Sequence, residues 1–127
     1  MEKEVKDNYT VTAENSVGEV QIADEVVAII AGIAATEVEG VASMAGNATK
    51  DLIQKLGRKS ISKGIKVEIL ESVVTVFVSI NIKYGYNIIE ITRKVQEKVK
   101  NAIESMTGLT VSDVNVRVVG VDVSEEA

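Results

Sequence analysis

Residues 65–83 read IKVEILESVVTVFVSINIK, and this stretch decides the fold. From Ile65 to Leu70, the apolar residues Ile65, Val67 and Ile69 alternate with Lys66 and Glu68, which is the period of a strand. Glu71-Ser72 marks a tight turn. A longer strand then runs to Lys83, with Val74, Val76, Val78, Ile80 and Ile82 forming one uninterrupted apolar face. Its other face, Thr75, Phe77, Ser79 and Asn81, is mostly polar, so the pattern predicts a sheet covered on one side only. So short a connection makes the two strands a hairpin, which is necessarily antiparallel.

C-terminal to the hairpin, Tyr84-Gly85-Tyr86 breaks the strand, and its tyrosines read as turn-packing residues. Asn87 and Glu90 have the spacing of a capping box. Ile88, Ile91, Val95, Val99, Ala102, Ile103 and Met106 then recur as one helical stripe. Glu90 and Lys94 lie one turn apart on its outside, a pairing worth only a few tenths of a kcal/mol. Gly108 stops this helix. Val114, Val116 and Val118 alternate with Asn115 and Arg117 as a last strand.

N-terminal to the hairpin, residues 1–15 show no period and read as a flexible tail. The pattern GEVQIA, with Val20 and Ile22 on one side, then gives a short strand. The stretch ADEVVAIIAGIAATEVEGVASMAG, residues 23–46, follows. Asp24 stands where a helix N-cap belongs, Glu25 puts negative charge in the first turn, and the helix is expected to reach about Val38, with Gly40 supplying a left-handed end. Val26, Val27, Ile29, Ile30 and Ile33 surround its axis, so it has almost no polar face. Such a helix must be covered on more than one side, by its own domain or by a partner. Taken as a contact surface, it offers Val27, Ile30, Ala31, Gly32 and Ala35, whose small members permit close approach. Val41–Met44 reads as another short strand. From Asn47 to Lys59 a helical pattern rests on Leu52, Ile53 and Leu56 alone.

The expected architecture is a two-layer α+β domain over residues 16–123, with tails at 1–15 and 124–127. Its order is β-α-β-(α)-β-β-α-β. Crossover helices allow parallel pairing beside the antiparallel hairpin, so the sheet is mixed, with the helices on one face.

Composition narrows function mainly by exclusion. At 127 residues the chain has the length of one domain, and 46% hydrophobic with 26% charged residues is ordinary for a soluble protein. Cysteine and histidine are both absent, which removes thiol chemistry, imidazole acid–base catalysis and the commonest zinc ligands. Asp24, Glu25, Glu37 and Glu39 fit no metal-ligand spacing, and each has a cap or solvated role available. No Gly-rich phosphate loop occurs, and no serine or threonine has an evident base, so we expect no enzyme, no cofactor and no metal. A net charge of −5, the lack of a Gly-x-x-Gly loop and only 3% aromatic residues oppose nucleic-acid binding. The longest apolar run, Val26–Ala35, is about half of the roughly 20 residues that span a bilayer. No basic flank precedes an apolar run at the N-terminus, so a cytoplasmic location is expected. Lys50, Lys55, Arg58, Lys59, Lys63 and Lys66 make one locally basic segment, which could contact phosphates, anionic lipid headgroups or an acidic partner, against the simpler role of a solvated flank.

The segments GEVQIADEVVAIIAGIAATEVEGVASM, SKGIKVEI, the YG before the long helix and VQEKVKNAIESMTGLTVSDVNVRVVGV occur in this order. Together they resemble the alkaline-shock (Gls-type general stress) family of Gram-positive bacteria, closest to its YqhY-like branch. The likeness covers about residues 17–123. It implies a small, cytoplasmic, non-enzymatic protein tied to stress response and envelope homeostasis. It also implies protein partners: the chain itself, a membrane-anchor protein, or a subunit of acetyl-CoA carboxylase in the control of fatty-acid synthesis. The family offers no catalytic residues to carry over. Interaction through the first helix is therefore the leading expectation, and peripheral membrane association through the basic segment, or through an anchor, is the alternative.

Overall fold

The computed structural model describes residues 8–12, 17–45 and 63–123, the first group by backbone alone. Its elements are β1 (Asn8–Thr12), β2 (Glu19–Ala23), α1 (Asp24–Thr36), β3 (Val41–Met44), β4 (Ile65–Leu70), β5 (Val73–Lys83), α2 (Ile88–Thr107) and β6 (Thr110–Asp122).

The predicted hairpin is the centre of the fold. β4 and β5 pair antiparallel from Leu70–Val73 to Ile65–Val78. Glu71 and Ser72 both have positive φ, 53° and 70°, as a two-residue I′-type turn requires. Beyond Val78, β5 outruns β4, and β3 takes the same edge by pairing with Ile80–Ile82. The handover falls at Ser79, whose N–H donates to the Gly64 carbonyl and whose carbonyl accepts from Ala45 N–H, both at 2.9 Å. β6 runs parallel to β5 along its other edge. The sheet is thus mixed, as expected, and the domain is α+β.

Val74, Val76, Val78, Ile80 and Ile82 are all buried, and both helices cover that face. The apolar column of α2 that reaches it is Ile91, Val95, Val99 and Ile103. Asn87 caps this helix through Oδ1, which accepts from Glu90 N–H at 3.0 Å, and Gly108 ends it at φ 80°. Both signals were legible in the sequence.

Around α1 the structure differs from expectation at several points. The N-cap is Ala23, without a side-chain bond, and Asp24 lies inside the first turn. The helix stops at Thr36, with Glu37 as C-cap, so Gly40 (φ 101°) shapes the chain reversal into β3 instead of ending the helix. The first β-α-β unit is not a crossover within the main sheet. β2 passes into α1 with no intervening residue, so the chain cannot reverse to lay β2 beside β5. β2 pairs with β1 instead, in a separate two-stranded sheet. β1 lies in the segment expected to be a tail, where NYTVT carries the alternation of a short strand. The helix expected over Asn47–Lys59 lies outside the described residues.

Candidate interaction surfaces

Residues named from the sequence as the contact face of α1 are part of the core. Val27, Ala31 and Ala35 are fully buried, Gly32 is buried, and Ile30 is nearly so. α1 packs on α2, β4 and β3, so its own domain supplies the cover that its composition demands. This corrects the expectation that Val27, Ile30, Ala31, Gly32 and Ala35 offer themselves to a partner. Only Val26 and Ile33, seven residues apart on one line of the helix, stay nearly half-exposed. Of the basic set, Lys50, Lys55, Arg58 and Lys59 lie outside the described residues. Lys63 and Lys66 line a shallow open cavity of about 390 Å³ with Phe77 on the polar face of the sheet, and Lys66 pairs with Glu68 at 3.8 Å.

Exposed apolar side chains collect elsewhere. α2 returns antiparallel to β5, so its first turn, the end of β5 and the end of β6 come to one end of the molecule. Tyr84 N–H donates to the Asp122 carbonyl at 2.9 Å and ties that corner together. Tyr84 is 75% exposed, Ile89 61% and Val123 70%, with Tyr86, Ile88 and Val121 also open to solvent. Tyr86 keeps a packing role besides. Its hydroxyl donates to Glu39 Oε2 at 3.2 Å, and that bond, with the Glu39 charge, raises its pKa above the usual 10.0.

The outer edge of β6 is the second surface. Its β5 side is fully paired, while no strand covers the other side among the described residues. α2 guards the first half of that edge with three side chains spaced four residues apart. Glu104 Oε2 accepts from Val111 N–H at 2.8 Å, Lys100 Nζ donates to the Val111 carbonyl at 3.2 Å, and Gln96 Nε2 donates to the Val114 carbonyl at 3.1 Å. Lys100 and Glu104 also pair at 3.4 Å. The Val111 bond holds the Glu104 carboxyl below its ordinary value, helped by Lys100 and opposed by partial desolvation. Covering an edge with a helix is a standard defence against unwanted strand pairing. The next residue in the series is Thr92, too short to reach, and its hydroxyl bonds to its own helix at the Ile89 carbonyl. The guard ends there. None of these three residues was singled out from the sequence, although the Q-x3-K-x3-E spacing beside the apolar stripe was a usable signal.

No group of three or more Asp or Glu residues among those described could hold a metal ion, and no described helix is long and apolar enough to cross a membrane. A one-sided sheet with both helices on its apolar face, an exposed apolar end and a half-guarded edge defines a small α+β domain. Residues 12–123 match the alkaline-shock protein 23 family, described as having a cell envelope-related function, and the chain belongs to that family. It is 33% identical over 126 residues to the protein YqhY of Bacillus subtilis (strain 168), covering 97% of this chain and 93% of that one. It is 38% identical over 119 residues to Spy1614 of Streptococcus pyogenes serotype M6, covering 92% and 98%. A gls24 homolog described as a stress response regulator, from Streptococcus pyogenes serotype M3, is 29% identical over 110 residues, covering 86% and 62%. The alkaline-shock resemblance and its stress and envelope setting thus hold at family level. A solved MamM-CTD double variant aligns with a TM-score of 0.50 over 79% of this chain and 96% of that one, at 13% identity, a likeness of fold alone.

Proposed function

We propose that this domain serves cell-envelope stress response as a non-enzymatic interaction module. Its contact surface is the end of the molecule formed by Tyr84, Tyr86, Ile88, Ile89, Val121 and Val123. One observation carries the reading: apolar side chains from three elements share one exposed end, while the helix with almost no polar face is largely buried. Grouped exposed apolar residues mark binding surfaces more often than scattered ones do. The partners to be tried first are those the family resemblance implies, a membrane-anchor protein and the subunits of acetyl-CoA carboxylase.

The test is capture of each purified candidate on the immobilised chain. One candidate is expected to bind the wild type, and Ile89→Lys is expected to weaken that binding about tenfold or more, as loss of a desolvated apolar anchor does. The circular dichroism spectrum of the variant should match the wild type. Retention of no candidate by the wild type, or equal retention by Ile89→Lys, contradicts the reading.

A further inference from the structure

We propose that the unguarded half of the β6 edge recognises itself, two copies of this chain pairing antiparallel along Val116–Val123 about a two-fold axis. This goes beyond the interaction surface proposed above, because it rests on backbone groups and on a register.

Backbone groups alternate sides along a strand, and the observed bonds fix which residues face outward. The Val111 and Val114 groups point to α2, on the outer side, while the Asp122 carbonyl points inward to Tyr84. β6 has 13 residues against 11 in β5, and the register shifts at Ser112 and Val119 absorb the difference. Following that register, the outward residues are Val111, Val114, Val116, Val118 and Val121, with Val123 continuing the series. The first two are satisfied by Glu104, Lys100 and Gln96. Beyond Val114, α2 gives the edge no further side-chain bond, and Val116, Val118 and Val121 present a ladder that no strand covers, among the described residues.

That ladder is self-complementary in one register. Pairing the open stretch with itself sets Val116 opposite Val123 and Val118 opposite Val121, each twice by symmetry, and all with outward backbone groups. Val119 and Gly120 of one copy meet Gly120 and Val119 of the other, so the two bulges coincide at the axis. Arg117 aligns with Ser79 and Asp122 with Lys83 in the β5 ladder, so both project on the polar face of the sheet. In this register Arg117 of each copy stands opposite Asp122 of the other. Asp122 already has a partner within its own chain, and the second copy adds a cation beside it. Opposite charges directly across a strand pair stabilise it and like charges destabilise it. A register shifted toward Thr110 would drive the incoming strand into Gln96, Lys100 and Glu104. The guard therefore selects the register as well as the length.

Sedimentation velocity on the full chain, from micromolar to sub-millimolar concentration, tests this. The wild type is expected to form a dimer and nothing larger. Arg117→Asp places like charges opposite one another and is expected to raise the dimer Kd about tenfold or more. The double variant Arg117→Asp/Asp122→Arg is expected to restore it to within a few fold of wild type. Ile89→Lys, which tests the surface proposed above, should leave the dimer unchanged, so the two readings fail separately. A wild-type chain that stays monomeric, or that forms larger particles, overturns the proposal. So does a dimer indifferent to Arg117→Asp, or one the double variant does not rescue.

Discussion

At the scale of single residues, Gly40 is the position where chain geometry and packing coincide. Its φ of 101° is one that L side chains rarely adopt, and its carbonyl accepts from Lys83 N–H at 2.8 Å. An added Cβ would stand 2.6 Å from Ile91 Cδ1 and 2.8 Å from Tyr86 Cδ2. Gly85 has nearly the same φ, 99°, with nothing within 4 Å of such an atom. Both Gly→Ala changes therefore carry a backbone cost of about 1–2 kcal/mol, and Gly40→Ala adds overpacking of about 1–3 kcal/mol because Ile91 is buried. Urea denaturation should show Gly40→Ala less stable than Gly85→Ala by that second amount, with unchanged slope. Equal midpoints would mean that the loop yields. Legibility at this scale was uneven. Asn87 announced its cap by its spacing to Glu90, whereas Asp24 has a good N-cap side chain and stands one residue too late to use it. Propensity names the residue type for a cap, and the chain direction entering the helix decides which residue takes it.

At the scale of elements, the long helix shows how far a periodic stripe can be trusted. Of the seven positions read as one face, Ile91, Val95, Val99 and Ile103 are buried, while Ile88 and Met106 at the two ends are exposed. A 20-residue helix laid on a twisted sheet departs from it at both ends, which periodicity alone cannot register. Ile103→Ala should therefore cost about 2–5 kcal/mol by cavity formation, and Met106→Ala should stay within about 0.5 kcal/mol. Denaturant midpoints of the two variants check this, and similar losses at both would show that Met106 is covered. β1 was missed for a different reason. NYTVT is five residues long and flanked by charge, and among the described residues it pairs with β2 alone, so its alternation is too brief to stand out from a polar tail. Absence of an intervening residue between β2 and α1 likewise separated two β-α-β patterns that look alike in sequence.

At the scale of the whole molecule, the fold was legible because its central sheet is covered on one side, which leaves a clean two-residue period in β5. The candidate surfaces were not. α1 declared that it needed cover, yet composition cannot say whether the covering atoms belong to the same chain. The exposed end draws on Tyr84 and Ile88, which reading along the chain assigns to a turn and a core stripe. The β6 edge depends on which side of a strand α2 happens to guard. The proposed contact surface at the Tyr84–Ile89 end rests on α1 being interior, since a partner-covered α1 would make that helix the interface. Hydrogen–deuterium exchange on the dilute isolated chain tests this most directly. Amides from Ala28 to Ala35 are expected to exchange as slowly as those of β5, both opening only with global unfolding. Fast exchange throughout α1, while β5 remains protected, would contradict it and return the first helix to the role of a contact surface.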